Sequence, residues 1–225
     1  MTRRLEMELN RLIDHTVLKP EATEDDVKRL CAEAREYDFF SAVVNTHFIP
    51  LAVEEVSGSR VKVCSISGFP LGAVDSEVKA FEARRAVQRG ADEIDMVINV
   101  GAVKEGAWGF VHQDIALVRK ACGDAILKVI IEAALLTDEE KAAACRAVVE
   151  CGAQFVKSST GFGPPGANPR DIRIMRETVG PDFGVKASAG IRTAAAALEL
   201  VEAGANRLGT SSGVQIMKEY NSEVL

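Results

Sequence analysis

Two lysines and one aspartate stand where their charges are hard to accommodate. In Phe155-Val156-Lys157-Ser158-Ser159-Thr160-Gly161-Phe162 a lysine lies within an apolar stretch that runs into a glycine-bearing loop. Burial disfavours the charged form of an amine, and the neutral amine is the nucleophile that attacks a carbonyl carbon to form an imine. The competing structural reading is a lysine at a strand end whose ammonium reaches out to solvent. Val185-Lys186-Ala187-Ser188-Ala189-Gly190 puts a second lysine on the next such stretch. Neighbouring parallel strands lie about 4.8 Å apart, so two ammonium groups at one level depress each other's pKa, unless the register turns them to opposite faces. Asp95 interrupts Glu93-Ile94-Asp95-Met96-Val97-Ile98-Asn99, which otherwise reads as a buried strand. A lone buried carboxylate requires a cation or a proton. Lys157 or Lys186 would supply the cation and give Asp95 a part in proton transfer, whereas an ion pair with Lys128 is the purely structural alternative. Asp14, in Ile13-Asp14-His15-Thr16, is a weaker case of the same kind, fit to bind a substrate hydroxyl or to orient Lys186.

Three loops carry the small residues that let backbone N–H groups approach an anion: Thr160-Gly161-Phe162-Gly163, Ala189-Gly190 and Thr210-Ser211-Ser212-Gly213. Ser211 and Ser212 are expected to begin the last helix, where unpaired N–H groups and the helix dipole favour a phosphate dianion. Serine is also an ordinary helix cap and glycine an ordinary turn residue, so the joint placement of the three loops carries the expectation. Thr160, Gly161, Gly190, Ser211 and Ser212 are thereby the candidate substrate-binding residues. His15, His47 and His112 have no metal-ligand spacing, Cys64 reads as a small core residue, and Lys19 and Arg192 read as solvated. Neither a metal nor a cofactor is called for.

These residues need elements to hold them. Apolar, β-branched runs alternate with amphipathic stretches along the whole chain, the pattern of parallel strands joined by crossover helices. Strands are expected at 12–18, 41–45, 61–67, 93–99, 126–132, 154–159, 184–187 and 206–210. Thr23 and Thr137 precede acidic first turns, Asn168 and Pro169 read as an N-cap and first helical position, and Gly152, Gly180 and Gly204 read as helix ends. Residues 75–89 have helical spacing, and 103–122 leaves room for a short extra helix. No GxGxxG follows the first strand, and eight βα units in 225 residues favour a closed (β/α)₈ barrel over an open doubly wound sheet. In such a barrel the active site lies at the carboxyl ends of the strands, and phosphate sites use the loops after strands seven and eight.

One domain spanning 1–225, with a short N-terminal extension, fits this length. The formal net charge of −6 argues against a nucleic-acid partner. Five scattered cysteines without CxxC spacing suggest reduced thiols. Residues 1–9 offer no apolar h-region, and no segment has roughly 18 uninterrupted apolar residues, so no membrane association and a cytoplasmic location are expected.

The chain resembles the deoxyribose-phosphate aldolases, class I, metal-independent aldolases with a (β/α)₈ fold. The likeness runs through Ile13-Asp14-His15-Thr16-Val17-Leu18-Lys19-Pro20, Val63-Cys64, Gly68-Phe69-Pro70-Leu71-Gly72, the Asp95 segment extended to Gly101, and the Lys157 and Lys186 segments. It implies reversible cleavage of 2-deoxy-D-ribose 5-phosphate to acetaldehyde and glyceraldehyde 3-phosphate. Lys157 would form the imine, Lys186 would lower its pKa, and Asp95 with Lys186 would relay protons. Gly161, Gly190, Ser211 and Ser212 fall where the family holds phosphate, and a homodimer is a possibility the resemblance brings with it. One departure stands out: Ala189 occupies the first of two positions usually glycine, where a positive φ would cost about 1 kcal/mol and weaken substrate binding. The rival readings are a Schiff-base barrel acting on another aldehyde and a non-catalytic sugar-phosphate binder.

Overall fold

The computed structural model describes residues 8–163 and 165–224. Along the chain the elements are β1 (Ile13–Val17), α1 (Glu24–Glu36), β2 (Ser41–Val44), α2 (Ile49–Glu55), β3 (Lys62–Ser67), α3 (Ser76–Gln88), β4 (Glu93–Val97), α4 (Val100–Lys104) and α5 (Trp108–Cys122). They continue as β5 (Ile126–Ile130), α6 (Asp138–Glu150), β6 (Phe155–Lys157), α7 (Pro169–Val179), β7 (Gly184–Ser188), α8 (Ala194–Glu202), β8 (Arg207–Thr210) and α9 (Gly213–Val224). The strands close in sequence order, β1 to β8, with β8 pairing back onto β1, and all pairs are parallel. This is the expected (β/α)₈ barrel. A 3-10 turn at Leu9–Leu12 leads into β1; residues 1–7 of the expected N-terminal extension lie outside the described residues.

Local chemistry sets the helix starts. Thr23 and Thr137 each complete a capping box, accepting from the N–H of Asp26 and Glu140 while those carboxylates accept from the cap N–H. Asn168 caps α7 ahead of Pro169, and the expected extra helix after β4 forms as α4. All strands but β7 are shorter than expected: β3 and β8 only start one residue later, and in the others the strand-like sequence continues after the ladder ends. Asn99 leaves the strand to cap α4, Glu132 turns left-handed at φ 49°, and Ser158 bonds sideways, its N–H donating to the Lys186 carbonyl at 3.0 Å.

Two apolar layers result. The larger packs the outward faces of the strands against the helices, with Val27, Ile94, Ile115, Val129, Val148 and Ile172 fully buried in it. The smaller, Leu18, Val43, Cys64 and Ile66 with Phe69 against them, fills one side of the barrel lumen. The other side of the lumen is charged.

Candidate active site

Strand register delivers the charged side of the lumen. Side chains two residues apart share a face of a strand, so Glu93 lies below Asp95, Phe155 below Lys157 and Arg207 below Gly209. Lys157 pairs with Lys186 across the β6–β7 ladder, Asp95 with Lys128 across β4–β5, and Asp14 with Gly209 across β1–β8. Strands β4 and β8 stand on opposite sides of the barrel, so the contact of Glu93 with Arg207 can form only through the lumen.

At the centre is Asp95, with no exposed surface. Its Oδ2 accepts from both Lys157 Nζ and Lys186 Nζ, each at 2.8 Å. Its Oδ1 accepts from Lys128 Nζ at 2.7 Å and from the Cys64 thiol at 3.3 Å. Lys186 also pairs with Asp14, whose other oxygen accepts from Ser41 Oγ at 2.7 Å and Arg207 at 2.9 Å. Below, Glu93 sits between Lys128 at 2.6 Å and Arg207 at 3.0 Å. The structural alternative for Asp95, an ion pair with Lys128, is therefore present together with the two lysine contacts. Lys157 is 3% exposed, so its ammonium does not reach out to solvent, and the lysines do not face opposite ways.

The two lysines differ in electrostatics. Burial, with the neighbouring Lys186 charge, holds the Lys157 amine below the ordinary lysine value despite the opposing pull of Asp95. For Lys186 burial acts the same way, but the Asp14 and Asp95 carboxylates outweigh it and raise its pKa. The expectation that the pair depress one another is thus corrected: the effect is one-sided, because Lys186 has a carboxylate that Lys157 lacks. Asp14 and Asp95 are themselves held well below the usual carboxylate range, burial being overcome by the surrounding cations.

Above Lys157 a cavity of about 490 Å³ opens at the carboxyl ends of the strands. Thr160, Gly161, Gly190, Ser211 and Ser212 all line it with Lys157. Asp14, Asp95 and Lys186 lie beneath its floor. Lys19 and Arg192, read from sequence as solvated, are exposed and also line it. The last helix starts at Gly213, with the Ser212 carbonyl accepting its first helical bond from Ile216 at 3.0 Å. The Ser212 N–H is turned back to Thr210 Oγ1 at 2.9 Å. Ala189 does adopt a positive φ, 76°, its carbonyl held by the Ala167 N–H at 3.1 Å.

Sequence reasoning passed over three buried groups. Glu93 and Arg207 each begin a strand, where a polar residue excites no notice; the usable signal was the two-residue spacing to Asp95 and Gly209 on the same face. Glu132 is 5% exposed and accepts from Thr160 Oγ1 at 2.5 Å, fixing a residue of the cavity wall. Among the described residues no three His, Cys, Asp or Glu side chains converge as a metal site would require, and no helix is long and apolar enough to cross a membrane.

Comparison with known proteins agrees with this geometry. Residues 10–219 match the model for the DeoC/LacD family aldolases. The chain is 55% identical over 214 residues to the deoxyribose-phosphate aldolase of Clostridium tetani, covering 95% of this chain and 99% of that protein. It is 55% identical over 218 residues to that of Enterococcus faecalis, covering 96% and 99%. The solved tetrameric deoxyribose phosphate aldolase of Aeropyrum pernix superposes with a TM-score of 0.88 at 35% identity, covering 98% of this chain and 95% of that one.

Proposed function

The chain belongs to the DeoC/LacD family of aldolases, and on that premise we propose that it reversibly cleaves 2-deoxy-D-ribose 5-phosphate to acetaldehyde and D-glyceraldehyde 3-phosphate through a Schiff base on Lys157. One observation carries the assignment. A buried amine with a lowered pKa forms one wall of a cavity, while its in-register neighbour Lys186 keeps its charge and shares the same carboxylate oxygen.

The neutral Lys157 amine attacks the aldehyde carbon of the open-chain sugar, and loss of water gives a protonated imine. That imine accepts electrons: the 3-hydroxyl gives up its proton, the C2–C3 bond breaks, and its electron pair forms the enamine of acetaldehyde. Glyceraldehyde 3-phosphate leaves, the enamine is protonated at carbon, and water hydrolyses the imine to release acetaldehyde and restore Lys157. Asp95 and Lys186 are placed in hydrogen-bonding sequence with Lys157 and serve as the proton relay, with Asp14 orienting Lys186. Thr160 and Gly161 meet the sugar. Gly190, Ser211 and Ser212 take the phosphate at the amino end of α9, where the helix dipole favours an anion.

Reduction with borohydride in the presence of acetaldehyde tests the reading. An N-ethyl group is expected on Lys157, located by peptide mass analysis, and Lys157→Leu should lose both the adduct and cleavage activity. An adduct on another residue, or none, ends the assignment. We carry the proposal to a homodimer in the cytoplasm; a monomer by sedimentation equilibrium would end the first part and a secreted fraction the second.

A further inference from the structure

Two charged side chains of the lumen take no step in this chemistry. Glu93 is the first residue of β4 and Arg207 the first of β8, both nearer the amino ends of the strands than Asp95. The Arg207 guanidinium lies 3.4 Å from the centroid of the Phe40 ring and 5.0 Å from that of Phe155, and it pairs with both Asp14 and Glu93. Two arms lead from it to Asp95: one through Asp14 and Lys186, the other through Glu93 and Lys128. Neither arm is open to water, for Glu93 is 1% exposed and Arg207 4%.

The charges in this closed network can be counted. Apart from Lys157, the described residues supply the carboxylates Asp14, Glu93 and Asp95 against the cations Lys128, Lys186 and Arg207. Every carboxylate has a cation, so a proton on Lys157 is the one positive charge without a counterpart. Burial pushes the Cys64 thiol up, so it stays neutral and does not alter the count. We propose that Glu93 and Arg207 are positioning residues that set the protonation state of Lys157 from the far end of the lumen, by keeping the network neutral without it. The groups facing Lys157 are Asp95 from β4, Lys186 from β7 and Cys64 from β3. Asp14 of β1, Glu93 of β4, Lys128 of β5 and Arg207 of β8 stand behind them, while β2 contributes the uncharged Ser41.

The inference rests on Lys157 being the imine-forming amine, and it predicts effects of opposite sign. Removing the Glu93 charge makes the lumen more positive and disfavours the Lys157 ammonium; removing the Arg207 charge does the reverse. The acid limb of kcat/KM against pH reports the group in the free enzyme. For Glu93→Gln it should move to lower pH by about one unit, and for Arg207→Gln to higher pH by about as much. The double variant keeps the charges balanced and should bring the limb back to the wild-type position, and Arg207→Lys should leave it there. A purely structural role would lower activity without this pattern. Limbs that stay still, single variants that shift the same way, or a displaced double variant overturn the proposal. Circular dichroism identifies a single variant that does not fold, in which case the double variant and Arg207→Lys decide by the same criteria. Borohydride trapping on the wild-type protein separates the two ideas, since absence of a Lys157 adduct defeats the reaction assignment itself, whereas an adduct with unmoved limbs defeats only the role of Glu93 and Arg207.

Discussion

Lys157 and Lys186 lie opposite each other on the β6–β7 ladder, and both nitrogens are 2.8 Å from a single oxygen, Asp95 Oδ2. One anion that already holds Lys128 cannot balance two further ammonium groups in the barrel interior, so the second proton needs another carboxylate. Asp14 offers one to Lys186 only. The asymmetry between a Lys157 amine held below the ordinary lysine value and a Lys186 amine held above it therefore originates on β1, remote in sequence from both lysines.

Asp14→Asn should consequently disturb both lysines. With Asp14 gone, Lys186 loses the partner that raises its pKa, and the lumen gains net positive charge, which disfavours the Lys157 ammonium as well. Both limbs of the kcat/KM profile should move to lower pH, by about one unit. A profile that loses height without moving would mean that Asp14 acts by position alone.

The strand order and the three central residues were readable because Lys157, Lys186 and Asp95 interrupt runs that are otherwise apolar. What surrounds them was readable only in part: Lys128 beside Asp95 and Asp14 beside Lys186 were open alternatives, while Glu93 and Arg207 went unread. Whether Lys157 and Lys186 share a level depends on register, which is fixed by the shear of the closed barrel and not by any residue type. The unequal pKa of the pair depends on Asp14 of β1, brought to Lys186 past the one intervening strand, β8, by the closure of the barrel, which no local pattern encodes. Ends of strands were overestimated for a related reason: Ser158 and Ser159 remain buried after β6 has ended, so composition carries no mark of where the ladder stops.

Gly209 makes room for the Lys186 side chain. A Cβ at this position would stand 3.0 Å from Lys186 Cε and 2.9 Å from Ser188 Cβ. Gly209→Ala should push Lys186 away from Asp95, and a displacement of this size at a reacting group can cost about 100-fold. The loss is expected in kcat, with KM for the sugar phosphate changed much less, because Lys186 lies below the cavity floor. Equal losses in both constants would point to a general collapse of the site.

Ala189 carries backbone strain at the mouth of the same cavity. Its φ of 76° falls where glycine is at ease and alanine is not, and relief is worth about 1 kcal/mol. Ala189→Gly should raise the thermal midpoint by about 2–4 °C for a chain of this size. KM should fall if the methyl group also holds the phosphate away. A lower midpoint would show that the alanine is better accommodated by its neighbours than its φ implies.

The two lysines should respond oppositely when removed. An amine whose folded-state pKa lies below its unfolded value of about 10.4 binds protons more tightly unfolded, so it costs stability at every pH under that value, a cost that grows as the pH falls to the folded pKa and stays complete below it. Lys157→Leu ends this cost and leaves three carboxylates facing three cations, so the inactive variant should melt higher than wild type at pH 7 by several degrees, a gain that shrinks as the pH approaches 10. Lys186→Leu does the reverse. Its pKa is raised on folding, so its contribution is complete below about 10.4 and fades only as the pH climbs through the folded value. Losing it takes the nearer of two shared cations from Asp14 and Asp95, leaving them Lys128 and Arg207 in the interior, at a cost of about 3 kcal/mol. Thermal melts of the two variants at pH 7 and pH 10 decide the matter: if both lose stability alike at pH 7, Lys157 is a charged member of the network and the neutral-amine picture is wrong.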